Sequence, residues 1–581
     1  MVAGSVKGLV KRAVPAPLWE RLRELRRSLK TGARGRREAR AAARTQDRLL
    51  AADPGLRAVE ADGLPMVGRV VDAFTGADAA EAHLVDVVGA AEAAGIGYFL
   101  VRGKTHLRHV VGVRGGDRAA FLAAMRERFG ASEYYVGRPE GGISNEFTAG
   151  PFPFAGELPG RLATARVLRF GRLLLGPQGQ LLSGLELGCD VEFWDEADAL
   201  GNDPKFLERQ EKLKVRIPPA MFAGAWVAPR ANEVADVLPA EARVPAHRVV
   251  GERKFDTFEP FNRKLVDDVD FPVDAVYMWV DGDDPVWAAS RAEHLGEGVS
   301  KIASAASNFV SRDELKYSLR SLHAFAPYIR NVYIVTAGQT PHWLDPQAQG
   351  VRIVDHSEIF ADPTVLPVFN SQAIEAQLHR IPGLSDRYLV LNDDTFFRRP
   401  STPSNFFHAN GIIKVPFSPA QIGLGRPQAE EAAPSSAGKN VRALLEADFD
   451  RFIASKFKHV PHPQIRTLAE ELEERYADEV RTTTASRFRA PDNINFATAL
   501  HHHYALFTGK AVPGAFRLQY IDVTAPGAPE RLAELEADRS TDTFCLNDVD
   551  TNEGNAARID ALVRGFLERM FPFPSPWEKR A

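Results

Sequence analysis

Cysteine is nearly missing from this chain: its 581 residues contain two, Cys189 and Cys545. That excludes a disulfide framework and any cysteine-rich metal centre, and it fits a reducing cytoplasm. No apolar run approaches the ~20 residues that span a bilayer. Charge of one sign is lacking too. The formal net charge is -4, so the chain as a whole does not read as a nucleic-acid binder. What is present is ordinary, 45% hydrophobic and 25% charged residues, as in soluble globular proteins. The length predicts two or three domains rather than one core.

The start of the chain departs from this average. Its first 44 residues hold 13 Lys and Arg against three Glu. Leu18, Leu22, Leu25 and Leu29 share one face of a predicted helix, with Arg21, Arg23, Arg26 and Arg27 around it. Such a helix suits an anionic membrane surface, and a solvated basic tail fits the same residues. The unbroken apolar stretch of a secretion signal is not there. Residues 1–60 are therefore expected to be a basic amphipathic helix and tail and the protein cytoplasmic; of the two readings, the membrane-surface helix would make it peripheral at the inner face of the membrane.

Residues 61–255 read as an accessory α/β domain. Helices are expected over 80–94 and 119–129, a strand over 97–102, and a hairpin about Gly176-Pro-Gln-Gly179. Cys189-Asp-Val-Glu-Phe-Trp-Asp195 alternates in a way that suggests an edge strand, with Asp190 and Glu192 in solvent. Nothing in this region forms a chemical constellation.

Residues 270–581 do. Tyr388-Leu-Val-Leu391 is a continuous apolar run, as in a strand buried on both faces of a parallel sheet, and it empties into Asn392-Asp393-Asp394. Val273–Val280 empties into Asp281-Gly-Asp-Asp284, Asn331–Thr336 into Ala337-Gly338-Gln339, and Val351–Val354 into Asp355-His356. Ser311-x-x-Glu314 has capping-box spacing, and Leu315, Leu319 and Leu322 follow with helical periodicity. The expected fold is α/β, a Rossmann-like, mainly parallel sheet with polar residues gathered at its strand ends, where such sheets bind ligands. Adjacent Asp393 and Asp394 suit a divalent cation that prefers oxygen, Mg²⁺, Mn²⁺ or Ca²⁺; an Asx turn fits them as well. Asn547-Asp548 repeats the pattern after Thr543–Leu546.

Several further stretches stand out. Residues 369–379 read as a helix with Glu375 and His379 one turn apart. Residues 420–440 are small and polar, and read as a mobile loop. His459-Val-Pro-His462 is stiffened by proline and precedes a charged helix over 464–480. A helix over 492–507 carries His501, His502 and His503, whose side chains would diverge, so no joint metal site is expected there.

Four of these stretches, in order, resemble the Stealth proteins: Asp274–Pro285; Asp313 through Asp394; His459-Val-Pro-His462 through about Thr508; and Cys545-Leu-Asn-Asp548. The resemblance spans roughly residues 270–550. It implies a sugar-1-phosphate transferase, like the bacterial capsule and exopolysaccharide enzymes and the animal N-acetylglucosamine-1-phosphotransferase. A nucleotide-sugar, a UDP-hexose or UDP-N-acetylhexosamine, would give its sugar-1-phosphate to a glycan hydroxyl, forming a phosphodiester and releasing UMP. By motif, the essential residues fall on Glu375, Asp394, His459 and Arg489. The sequence departs from the pattern at Asp283, Asn370 and Gln372.

Phosphoryl transfer gives each of these a role. Asp393 and Asp394, with Asn547 and Asp548, would hold the cation, Mg²⁺ first among the three. Arg489 offers two parallel donors to phosphate. His459 fits a general base and also a covalent nucleophile, while Glu375 fits sugar binding or orientation of His459. Asp281, Asp284, Arg312 and Asp313 are candidates for nucleotide contacts, and turn or capping roles fit them equally. The alternative reading is a metal-dependent glycosyltransferase that releases UDP.

Overall fold

The computed structural model describes residues 33–141, 144–214, 217–296, 309, 311–552 and 554–580. The expected helix around Leu18–Leu29 lies outside these residues. From Ala33 the expected tail gives way to a helix, Ala33–Ala52, followed by the strand Leu56–Ala61. Among the described residues no helix is long and apolar enough to cross a membrane. The chain divides into two compact units, one of residues up to 71 with Ala80–Leu175 and Leu181–Asn262, the other of Asp72–Ala79, Gly176–Gln180 and Arg263–Ala581.

In the first unit the expected elements appear as the helix Arg118–Phe129, the strand Tyr98–Val101 and the paired strands Leu173–Leu175 and Leu181–Ser183. Cys189–Glu196 corrects the sequence reading. It is an interior strand of a ten-stranded sheet, parallel to Val110–Arg114 on one side and antiparallel to Val167–Gly171 on the other. Cys189, Val191 and Phe193 face the apolar core. On the opposite face, Asp190 and Glu192 are buried rather than solvated. Arginines make that burial tolerable: Arg169 Nε donates to Asp190 at 2.6 Å, and Arg230 donates to Asp190 at 2.8 Å and to Glu192 at 2.6 Å. Burial alone would raise Asp190, yet the charges of Arg169 and Arg230 hold it at about 2.

The second unit is mixed α/β. We label its main strands β1 (Val273–Met278), β2 (Ile329–Thr336), β3 (Val351–Asp355), β4 (Arg387–Asn392), β5 (Thr395–Phe397), β6 (His462–Ile465), β7 (Leu518–Asp522) and β8 (Thr543–Asn547). The five-stranded sheet runs β3-β2-β1-β4-β6. Its first four strands are parallel, and β6 closes the edge antiparallel to β4. Both faces of β4 are covered: Leu389 and Leu391 pack into one apolar cluster, Tyr388 and Val390 into another. At the far end of the sheet, Asp274 is buried and accepts from Arg330 and from the Asn331 and Ser385 amides, which pins β1, β2 and β4 together there.

Three local expectations change. The helix α1 (Glu314–Phe325) is not opened by a Ser311 capping box. Asp313 is its N-cap at φ 64°, a left-handed turn that Asp tolerates better than most residues, and Glu314 instead accepts the Arg312 amide at 2.5 Å. The helix expected over 369–379 is only α2 (Ser371–Glu375), after which a 3₁₀ turn carries His379 away to Glu473 at 2.8 Å, so Glu375 and His379 do not share a face. Of residues 420–440, those from Ala433 open the helix α3 (Ala433–Phe449) rather than a loop; Pro434 suits its first turn, and Ser436 to Lys439 are buried.

Removing one partner from a buried ion pair is costly because it orphans a charge, whereas removing both is tolerated. Arg169→Leu is therefore expected to destabilise the first unit by about 3 kcal/mol, with part of that loss recovered when Asp190→Leu is added. Urea unfolding measures both variants, and equal losses would contradict this account.

Candidate active site

Strand register decides what meets at the carboxyl end of the sheet. Met278 and Asn392 are partners in the parallel β1–β4 pair, so the two acidic strand ends emerge side by side. In the antiparallel β4–β6 pair Val390 faces His462, which sets His459, three residues earlier, beside Asn392. Immediately after β4, the chain turns into β5, whose Thr395 is paired with Cys545 of β8. The Leu546 amide donates to the Asp394 carbonyl at 3.0 Å, and β7 lies parallel on the far side of β8, with Tyr520 opposite Cys545. Residues 150 positions apart are thus joined by backbone ladders, which leaves their side chains little freedom.

The result is a cavity of about 550 Å³ lined by Glu375, Asn392, Asp393, Asp394, Lys456, Lys458, His459, Arg489, Asn547 and Asp548, with Arg312 and Glu314. Glu375, Asp394, His459 and Arg489, which the sequence pattern singles out, share this one cleft. So do Asp393, Asn547, Asp548 and Arg312. Asp281, Asp284 and Asp313 do not line it. Asp281 accepts the Asp283 amide in a turn, Asp284 caps the helix Pro285–His294 through the Val286 and Trp287 amides, and Asp313 pairs with Arg564 at 2.7 Å. Arg312 is buried and donates to Asp548 at 2.7 Å and to Thr551 at 3.0 Å, so Asp548 already has a cationic partner.

His459 Nε2 has two polar partners in the cleft. It lies 3.1 Å from Asp394 Oδ1 and 3.1 Å from Asn392 Nδ2. A protonated ring donates to the carboxylate, and a neutral ring accepts from the amide, so each state has a partner. Burial would lower this imidazole, but Asp394 outweighs it and the pKa is raised. Correspondingly, burial would raise Asp394, but His459 and a 3.2 Å bond from Cys545 Sγ hold it below the usual value. Asp393 goes the other way: burial, then Asp394 and Glu314, push its carboxyl well up. Burial pushes Glu375 to about 7 against Arg489 and His459, and among the described residues its buried Oε2 has no hydrogen-bond partner.

Arg489 reaches the cleft from an ordered loop. Asn370 caps α2 with its oxygen while its amide donates to the Ser486 carbonyl at 3.0 Å and to Asn493 at 2.8 Å. Phe369 stacks on Phe488, ring centroids 5.3 Å apart. Arg489 itself donates to Ser371 Oγ at 2.9 Å. The sequence reading gave Lys456, Lys458 and Cys545 no role in the cleft, and gave Glu314 only a capping one. The two lysines two residues apart just before His459 were the available signal. Glu314 and Cys545 had none, because only the β5–β8 pairing and the Asp313 turn bring them in. The His501–His503 run is buried at the start of a helix, with His502 bonded to His462 at 3.1 Å and every one of these rings kept neutral by burial.

Four family descriptions match the second unit: Stealth protein CR1 over residues 271–297, CR2 over 308–415, CR3 over 458–506 and CR4 over 533–581. Over 546 residues the chain is 38% identical to an exopolysaccharide phosphotransferase of Streptomyces coelicolor, covering 90% of this chain and 88% of that one. The chain belongs to the Stealth family. It is also 32% identical over 522 residues to the exopolysaccharide phosphotransferase CpsY of Mycobacterium tuberculosis, covering 88% of this chain and 92% of that one. Among solved structures it is similar to the galactosyltransferase LgtC, at 12% identity and a TM-score of 0.25, over 52% of this chain and 98% of that one. All four Stealth regions contribute to the cavity wall: Met278 and Trp287 from the first, Glu375 and Asp394 from the second, His459 and Arg489 from the third, Asn547 and Asp548 from the fourth. Like its Stealth relatives named above, the chain is an enzyme.

Because Asp394 favours the protonated ring, His459 is expected to titrate above its ordinary 6.5. The neutral ring, the form able to accept a proton, gains population only as pH rises through that raised pKa. Asp394→Asn is expected to move the titration down, read from the ring protons by NMR; an unmoved titration would contradict the assignment of the partner.

Proposed function

We propose that the enzyme transfers a sugar-1-phosphate from a nucleotide-sugar, of the UDP-hexose or UDP-N-acetylhexosamine class, to a hydroxyl of a glycan in exopolysaccharide or capsule synthesis. The observation that carries this reading is the His459 Nε2 atom, set between Asp394 and Asn392 in the same cleft as Arg489, Lys456 and Lys458. An acid–base group and a cluster of cations facing one space are what transfer between a hydroxyl and a diphosphate requires.

In this reading the acceptor hydroxyl gives its proton to His459 Nε2, and its oxygen forms a bond to the sugar-bearing phosphorus. The bond from that phosphorus to the bridging oxygen breaks, and UMP leaves with the electron pair. Asp394 takes up the imidazolium charge as it forms. Arg489, with its planar donors, holds non-bridging phosphate oxygens. Glu375, near neutral pKa and short of a hydrogen-bond partner, suits a sugar hydroxyl. The oxygen donors also fit a Mg²⁺-type cation, which needs only one or two carboxylates besides phosphate and water. Asp394 and Asp393 with Asn547 would hold it, and it would supply neutralisation of diphosphate charge. Asp548 contributes less directly, being committed to Arg312.

His459→Ala and Asp394→Asn are each expected to lower kcat by about 10²–10⁴-fold while leaving the fold intact, as losses of groups acting in the transition state do. Incubation with UDP-sugars, Mg²⁺ and glycan acceptors, followed by nucleotide analysis and phosphorus NMR, is expected to show UMP and a phosphodiester. UDP as the product would replace this reading with glycosyl transfer.

A further inference from the structure

Cys545 has no part in the reaction above, yet its thiol sits against the central carboxylate. Its Sγ donates to Asp394 Oδ2 at 3.2 Å, while His459 Nε2 meets Oδ1 of the same carboxylate at 3.1 Å. One ligand atom from each of the three residues lies within 4.8 Å of the other two, and among the described residues this is the one group of three or more His, Cys, Asp and Glu donors so arranged. We propose that Asp394, His459 and Cys545 form a binding site for a thiophilic divalent cation of the zinc class, which shuts the enzyme by occupying the Nε2 lone pair that the reaction needs.

Donor chemistry separates this site from that of the hard cation. Carboxylate and amide oxygens suit Mg²⁺; a thiol and an imidazole added to a carboxylate suit Zn²⁺. Three protein ligands with a fourth position left open is the pattern of accessible zinc sites, and a tetrahedral ion at roughly 2.0–2.3 Å from each ligand sets them roughly 3.3–3.6 Å apart. The two carboxylate contacts already fall near that spacing. Closing the rest falls to His459, whose side chain is 34% exposed and therefore the freest of the three. Asp394 and Cys545 are fixed by the β5–β8 ladder and the bond from the Leu546 amide to the Asp394 carbonyl. Asp394 and His459 line the cavity, so the ion enters by the route the substrate uses.

Burial and the adjacent Asp394 raise the Cys545 thiol well above its ordinary value, so it is protonated when no ion is present. On binding, the metal–sulfur bond forms and the thiol proton passes to solvent, with no change of oxidation state. An ion so placed takes the lone pair of Nε2 and one Asp394 carboxylate oxygen out of use. The inhibitory half of the proposal rests on the base role given to His459; the binding half does not.

Cobalt(II) titration of the full chain tests the binding half. A 1:1 spectrum is expected, with a near-ultraviolet sulfur-to-cobalt charge-transfer band, displaced by Zn²⁺ and not by excess Mg²⁺. Cys545→Ser should abolish the band, and Cys189→Ser, at the only other cysteine, should keep it. His459→Gln, at a partly exposed position, should weaken binding by at least the ~10–100-fold that even an outer-sphere contact to a metal is worth, with circular dichroism checking that the variant is folded. A spectrum with no sulfur band, or one the same in Cys545→Ser, would overturn the site. Zinc loaded to 1:1 in a Mg²⁺ assay should stop turnover, with recovery on chelation; full turnover with zinc bound would overturn the inhibition. A zinc-free enzyme that yields no UMP would instead defeat the phosphotransfer reading and leave the cobalt result standing.

Discussion

The pairing of β6 against β4 is the constraint on which the site depends. Without an antiparallel strand at that edge, the segment carrying His459 would have no reason to lie beside Asn392. With Val390 opposite His462, the three residues from His462 back to His459 run along β4 to its carboxyl end. Backbone hydrogen bonds are shared along the ladder, and a slip of one residue would turn every side chain to the other face. The imidazole is therefore placed to within hydrogen-bond distance of two β4-end side chains by the sheet itself rather than by contacts of its own. The same holds for Cys545 through β5 and β8.

Electrostatics then divides like groups into unlike ones. Asp393 and Asp394 are neighbours in sequence, yet burial beside Asp394 and Glu314 lifts the first while His459 holds the second down. Two carboxyls that would titrate together in water become one that resists ionisation and one that stays charged. Glu375, lifted to about 7, and Arg489, whose charged state burial disfavours, extend the pattern across the cleft. Charge in this cavity is held by pairing, so a ligand that brings negative phosphate meets groups whose balance it will shift.

The sequence was most informative where the local pattern and the tertiary role coincide. Tyr388–Leu391 shows a strand covered on both sides because all four residues are apolar, and the polar residues after it mark the strand's end. The meeting of Glu375, Asp394, His459 and Arg489 in one cleft was expected from motif resemblance, not from spacing. Periodicity misled at Asp190 and Glu192, since an alternation of acid and apolar residues looks the same on an edge as in mid-sheet. The arginines that settle it, Arg169 and Arg230, lie 21 and 40 residues away from Asp190. It misled again at Glu375 and His379, where a four-residue spacing meets a helix that stops after Glu375. Cys545 was legible as a residue and illegible as a neighbour, because a register between strands 150 residues apart leaves no local trace.

The β5–β8 ladder also has a meaning for synthesis of the chain on the ribosome. The acidic turn at Asp393-Asp394 is complete as sequence long before Thr543–Asn547 has been made, and until then it lacks the strand that holds its geometry. A nascent or truncated chain ending short of that strand would carry the carboxylates, the imidazole and the guanidinium without the fixed frame. Assembly of the cleft is thus a late event, and an unfinished polypeptide lacks its complete frame.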